Sequence, residues 1–139
     1  MEKLFESLNQ IMELLNQIYT ITGNQTTILL DSKQAGDGLD MIEEMAAYKN
    51  DLTTQLEQVE VVFGQQYAEH KAEIEDVEVQ KLLKQTVARV LELKDKVIKL
   101  EQQNLLIMQD LLKRLTEKIE IPKKAEAVSA AYKQHSKTK

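Results

Sequence analysis

Residues 82–119 read LLKQTVARVLELKDKVIKLEQQNLLIMQDLLKRLTEKI, a run without a glycine or a proline. Apolar residues recur in it as Leu83, Val87, Val90, Leu93, Val97, Leu100, Ile107, Leu111 and Leu115. Most steps are three or four residues, the spacing that lines up side chains along one side of a helix. A second line, Leu91, Ile98, Leu105, Leu112 and Ile119, steps by seven and lies beside the first. Together the two lines are broader than the seam of a two-stranded coiled coil. Such a helix has to be covered by other helices or by a partner, and which one covers it is the functional question.

Outward from this stretch the chain reads as all-α. Leu4, Leu8, Ile11, Leu15 and Ile18 step by four and three, flanked by Phe5, Met12 and Tyr19 at a step of seven. This predicts a first helix that runs through Gly23, at a cost of about 1 kcal/mol, to about Gln34. The segment Ala35-Gly36-Asp37-Gly38 is the first clear break, with Gly36 suited to a helix end and Asp37 to an N-cap. A second helix is expected from about Leu39 to Tyr67, its apolar line being Met41, Met45, Tyr48 or Leu52, Leu56, Val59, Phe63 and Tyr67. Gly64 within it suggests a close helix contact. The charged stretch from Ala68 to Val77 is read as the second turn. The third helix then runs from near Val77 to near Ile121, where Pro122 stops it. Beyond the proline, Ala125, Val128, Ala131 and Tyr132 suit one short amphipathic helix. The expected fold is an antiparallel bundle of three long helices (residues 1–121) followed by a short C-terminal helix and basic tail (residues 122–139).

Composition narrows the function. The chain has 139 residues, enough for one domain with a core. Hydrophobic residues are 42% and charged ones 29%, a balance that fits neither a disordered chain nor a membrane protein. The formal charge is −5, yet the residues from Lys123 onward carry five lysines against one glutamate. The rest is therefore strongly acidic, which argues against nucleic acid as a ligand. No cysteine is present, so disulfides, thiolate metal sites and thiol nucleophiles are excluded. The N-terminus opens directly into an amphipathic pattern without the layout of a signal peptide, and no apolar run is long enough to span a bilayer. The expected location is the cytoplasm.

Signatures of catalysis or cofactor binding are not found. His70 and His135 stand apart, Tyr67 rather than a glutamate precedes His70 by three residues, and the glycines do not form a phosphate-binding loop. Carboxylates alternate with lysines, as in Glu92, Lys94, Asp95, Lys96 and Lys99, the pattern of a solvated helix face. A non-enzymatic protein with no metal or cofactor is expected. Asn104 falls where the apolar line calls for a large residue; it is either a buried register-setting amide or a half-wet residue at the rim of the core. Tyr132, alone in the basic tail, either staples that tail to the bundle or anchors in a partner's pocket.

Three features together resemble the flagellar type III export chaperones of the FlgN/FliT type. They are an acidic all-helical chain of this length, the pattern Leu29-Leu30-Asp31, Gly36-Asp37-Gly38-Leu39, Met45, Lys49 and Leu52, and Glu101-Gln102-Gln103-Asn104-Leu105-Leu106 late in the long helix. The resemblance implies a cytoplasmic chaperone that binds the helical end of a hook-associated or filament-cap protein and delivers it to the export gate. It also implies that the last helix can mask the client groove, and that a C-terminal tyrosine, Tyr132 by position, meets the gate's cytoplasmic domain. Independently of it, a broad apolar arc can dock an amphipathic helix. The candidate partner-binding residues are Leu105, Leu112, Leu115 and Ile119 as groove, with Val128 and Tyr132 as lid or anchor. Neither nucleic acid nor direct membrane insertion is expected, and a homodimer is compatible with the pattern. The competing reading is a structural adaptor that self-associates through its heptads.

Overall fold

The first helix is almost free of charge. Glu2, Lys3, Glu6 and Glu13 are its only ionic residues, and the seventeen residues after Glu13 carry none. A helix of that kind can be enclosed by neighbours at little desolvation cost, and the structure, a computed structural model that describes residues 2–31 and 37–118, puts it at the centre. Helix α1 (Glu2–Leu30) packs along both α2 (Asp37–His70) and α3 (Val77–Lys118). Helices α2 and α3 approach each other less closely and meet through side chains. No strand occurs among the described residues. The bundle is thus built around α1, although residues 82–119 are the most conspicuous stretch of the sequence.

The 4-3-4-3 line of α1 is buried throughout: Leu4, Leu8, Ile11, Leu15 and Ile18. It continues beyond the apolar residues as Thr22, Gln25 and Leu29, all buried. Ile11, Leu15 and Ile18 pack with Leu52 and Leu56 of α2 and Val97 of α3 to make the central core. Leu4 and Leu8 pack with Ile74 and Leu83 to close one end. Contacts ascend α1 as they descend α2: the Ser7 hydroxyl donates to Gln66 Oε1 at 2.7 Å, and the Gln25 amide donates to the Ile42 carbonyl at 3.2 Å. Along α3 they ascend together, from Leu8 beside Leu83 to Thr22 beside Asn104.

The connections differ from the expected ones in instructive ways. Helix α1 passes through Gly23 but ends at Leu30, short of Gln34. The Asp31 amide turns back to the Ile28 carbonyl at 3.2 Å, tightening the last turn. Asp37, expected as an N-cap, is already the first residue of α2. Helix α2 runs three residues past Tyr67 to His70 and closes in a 3-10 turn, Lys71–Glu73. Ile74 then turns inward and is buried, an apolar plug inside a stretch that reads as mere charged linker. Helix α3 starts where expected, at Val77. Asp76 caps it, its carboxylate accepting the Glu78 amide at 2.9 Å.

In α2 the inward line is Ile42, Leu52, Leu56, Val59 and Phe63, whereas Met41, Tyr48 and Tyr67 are exposed. The true line keeps a step of seven, Ile42, Lys49, Leu56 and Phe63; the charge on Lys49 disguises it. Gly64 makes no close helix contact, since a side-chain carbon placed there meets nothing within 4 Å. The expected end of α3 near Ile121, the stop at Pro122 and the short C-terminal helix lie outside the described residues.

Candidate functional site

The two apolar lines of α3 part company. Leu83 and Val97 of the first are buried, and Val87, Val90, Leu93, Leu100, Ile107 and Leu111 are half-buried toward the other helices. The second line faces outward. Leu91 is 60% exposed, and Ile98 and Leu105 are 50% exposed, while Leu112 is half-buried. A single step along a helix turns a side chain by about 100°; that is why two lines one residue apart end up on core and rim.

This outer line borders the groove between α2 and α3, on the side away from α1. Two ion pairs span the groove and fix its register. Lys94 reaches both carboxylate oxygens of Glu60 at 3.0 Å, and Lys49 meets Glu101 at 3.1 Å. At one end the groove widens into a mainly apolar hollow of about 370 Å³ lined by Phe63, Tyr67, Leu83, Val87, Leu91 and one cation, Lys84. Phe63 and Tyr67 stack there with ring centroids 6.3 Å apart. Along the outer surface of α3, Asp95 pairs with Lys99 at 2.8 Å. The hydrogen bond to Asp95, and then its charge, raise the Lys99 pKa above its ordinary value.

Of the residues singled out from sequence, Leu105 and Leu112 lie on this line, and Leu115 belongs to α3. Ile119, Val128 and Tyr132 lie outside the described residues. The sequence reading did not single out the hollow at the other end. Its signal was present, because Leu91 opens the same step-of-seven line as Leu105, and Phe63 and Val87 face each other in the register set by Glu60 and Lys94.

Beneath the groove runs a layer of polar side chains that crosses all three helices. Asn104 is buried, so the register-setting alternative describes it, and its amide donates to the Thr22 carbonyl at 3.0 Å. The Thr26 hydroxyl donates to the Asn104 side-chain oxygen. Lys49, its side chain only 14% exposed, directs its ammonium to Gln25 Oε1 at 2.7 Å, Thr22 Oγ1 at 3.4 Å and Glu101 at 3.1 Å. An ammonium has three protons, and all three are used. No buried side-chain nitrogen or oxygen among the described residues lacks a partner. A satisfied layer of this kind sets the alignment of helices, because any slip leaves buried polar atoms unpaired.

Lys49→Met is expected to lower stability by about 2 kcal/mol, because it leaves the buried Gln25 oxygen without its donor. Glu101, partly exposed, regains water. The combined Lys49→Met, Gln25→Leu variant recovers much of that loss, since both partners are then apolar. Urea unfolding of the single and double variants measures the coupling.

The described residues contain no group of three or more His, Asp or Glu side chains placed to hold a metal ion. Among them, no helix is long and apolar enough to cross a membrane. His70 sits at the end of α2 with Nδ1 3.1 Å from Glu73. Comparison with known protein families, with curated proteins and with solved structures gives no match to this chain.

Proposed function

We propose that this chain is a cytoplasmic export chaperone of the FlgN/FliT type, without enzymatic activity. It holds the helical end of a hook-associated or filament-cap protein in the α2/α3 groove, prevents its premature assembly and delivers it to the export gate. The observation that carries this reading is the outward line Leu91, Ile98 and Leu105, at least half exposed on a helix whose other apolar line is packed. A row of large apolar side chains at helical spacing is what a helix-in-groove partner needs. The residues that carry the resemblance add support, for Lys49, Glu101 and Asn104, distant in sequence, meet in one layer beneath the groove. In this reading an antiparallel bundle is completed by a short helix after Pro122. Leu112, Leu115 and Ile119 extend the groove, and Val128 and Tyr132 serve as its lid or as the anchor on the export gate.

The step of seven along the same line also favours a second reading, a structural adaptor that associates with itself through this face. An affinity pull-down from the native cytosol, read by mass spectrometry, separates the two. The chaperone reading expects hook-associated or cap proteins in the eluate, lost or redistributed when Val128 and Tyr132 are changed to aspartate. Recovery of the protein alone, as a stable oligomer, would sink it in favour of the adaptor.

A further inference from the structure

We infer that the α2/α3 groove selects an amphipathic helix whose apolar face is bordered on one side by lysine or arginine; this rests on the proposed client-binding role of the groove. The two walls of the groove differ in chemistry. The α3 wall is the line Leu91, Ile98, Leu105 and Leu112; of the charges around it, Lys94 pairs with Glu60, Asp95 with Lys99 and Glu101 with Lys49, while Lys84 lines the hollow at the Leu91 end. The α2 wall is the parallel line Glu43, Asn50, Glu57 and Gly64, one residue on from the inward line Ile42, Lys49, Leu56 and Phe63 and exposed throughout. Neither Glu43 nor Glu57 forms an ion pair among the described residues.

Helix α2 as a whole carries eight carboxylates and a single lysine, and that lysine is spent on the buried layer. Among the described residues, therefore, the wall presents carboxylates without an ion-pair partner beside an apolar line. Gly64, with open space where a side chain would stand, leaves the wall low beside the apolar hollow.

The register fixes where the basic residues of the occupant fall. With Lys49 opposite Glu101 and Glu60 opposite Lys94, Glu57 stands across from the interval between Leu91 and Ile98. Glu43 stands across from the interval between Leu105 and Leu112. The two carboxylates are fourteen residues apart, about 21 Å along the helix. A matching partner carries a cation at each end of a four-turn interval and an apolar face about 32 Å long. Opposite charges along such a flank set register and orientation as much as affinity.

A second copy fits poorly. The exposed flank of its own apolar line is Ala88, Asp95, Gln102 and Gln109, which brings Asp95 toward the acidic wall, and the lysines a turn beyond its two ends, Lys84 and Lys113, are about twice as far apart as Glu43 and Glu57. The tail of the same chain is basic, but Ala125 to Tyr132 as a helix would cover only about 11 Å of the line.

Two synthetic helices of about 21 residues with identical leucine faces test the inference, one with lysines fourteen residues apart on the flank, the other with glutamates. Each is titrated into the full chain and followed by fluorescence anisotropy. The lysine helix is expected to bind at least about tenfold more tightly at low salt, an advantage that disappears in Glu43→Gln, Glu57→Gln and fades as salt is raised. Equal affinities, both abolished by Leu105→Asp, would overturn the charge selection and leave the groove reading standing. Binding of neither helix would overturn both. A dimer in sedimentation that Leu105→Asp dissociates would assign the groove to a second copy and overturn the inference; because Tyr132 is the proposed lid, both titrations are repeated in Tyr132→Asp, where equal affinities or binding of neither helix count as above.

Discussion

Replacing Ile98 and Leu105 together by aspartate is expected to weaken capture of a client helix about a hundredfold or more, with the unfolding midpoint nearly unchanged. The effect depends on where these side chains sit before and after binding. In the free protein each is half in water, and an aspartate there stays hydrated, so the folded chain loses little. In the proposed complex the same positions would be closed over by the partner's apolar face, and two carboxylates would have to be desolvated without a free cation beside them. Of the cations around them, Lys94, Lys49 and Lys99 are already held by Glu60, Glu101 and Asp95. Isothermal titration with a client helix, alongside thermal melts, reads both halves of the expectation. Unfolding of the variant would mean that the line is structural; unchanged binding would remove it from the interface.

Leu15→Ala is expected to destabilise the chain by about 3 kcal/mol, the middle of the range for a leucine deleted from a well-packed core. Leu15 is among the most deeply buried side chains and lies in the central cluster with Leu52, Leu56 and Val97, so all three helices lose contacts at once. The neighbours come from three separate backbones, each pinned by the polar layer above and by Leu4, Leu8 and Ile74 below, which limits how far they can relax into the cavity. Met41→Ala, at an exposed position that the α2 pattern makes look like core, should change stability by no more than about 0.5 kcal/mol. Urea denaturation of the two variants tests the contrast directly.

That contrast shows what was legible in the sequence. The line of α1 is plain because its inward positions are leucines and isoleucines with charge kept off its second half. The two lines of α3 are plain too, but which faces the core is not, since both are equally apolar and one residue apart; only the other helices decide it. Helix α2 is hard to phase. Its inward position 49 is a lysine while positions 41, 45 and 48 are apolar, so the pattern points about one residue away from the true face. An error of that size also hides the acidic wall, because Glu43 and Glu57 then look like scattered surface charge. Ile74 is hidden for a related reason: a lone isoleucine between Glu73 and Glu75 gives no periodic signal, and only its fit against Leu4, Leu8 and Leu83 makes it core. Of the site, Leu105 and Leu112 could be found from a step of seven, whereas the apolar hollow needed the register between α2 and α3.

The amide of Asn104 donates to a carbonyl 82 residues earlier in the chain. During synthesis, therefore, α1 and α2 can pair as a hairpin, but the second side of α1 has nothing to rest on until most of α3 has been made. The nascent chain must carry an unfinished apolar edge until that point. The absence of charge from the second half of α1, which suits that helix to the centre of the finished bundle, makes its growing form vulnerable to aggregation. Ribosome pauses placed before residue 104 has emerged should lengthen that exposure, whereas pauses placed after its emergence should matter far less.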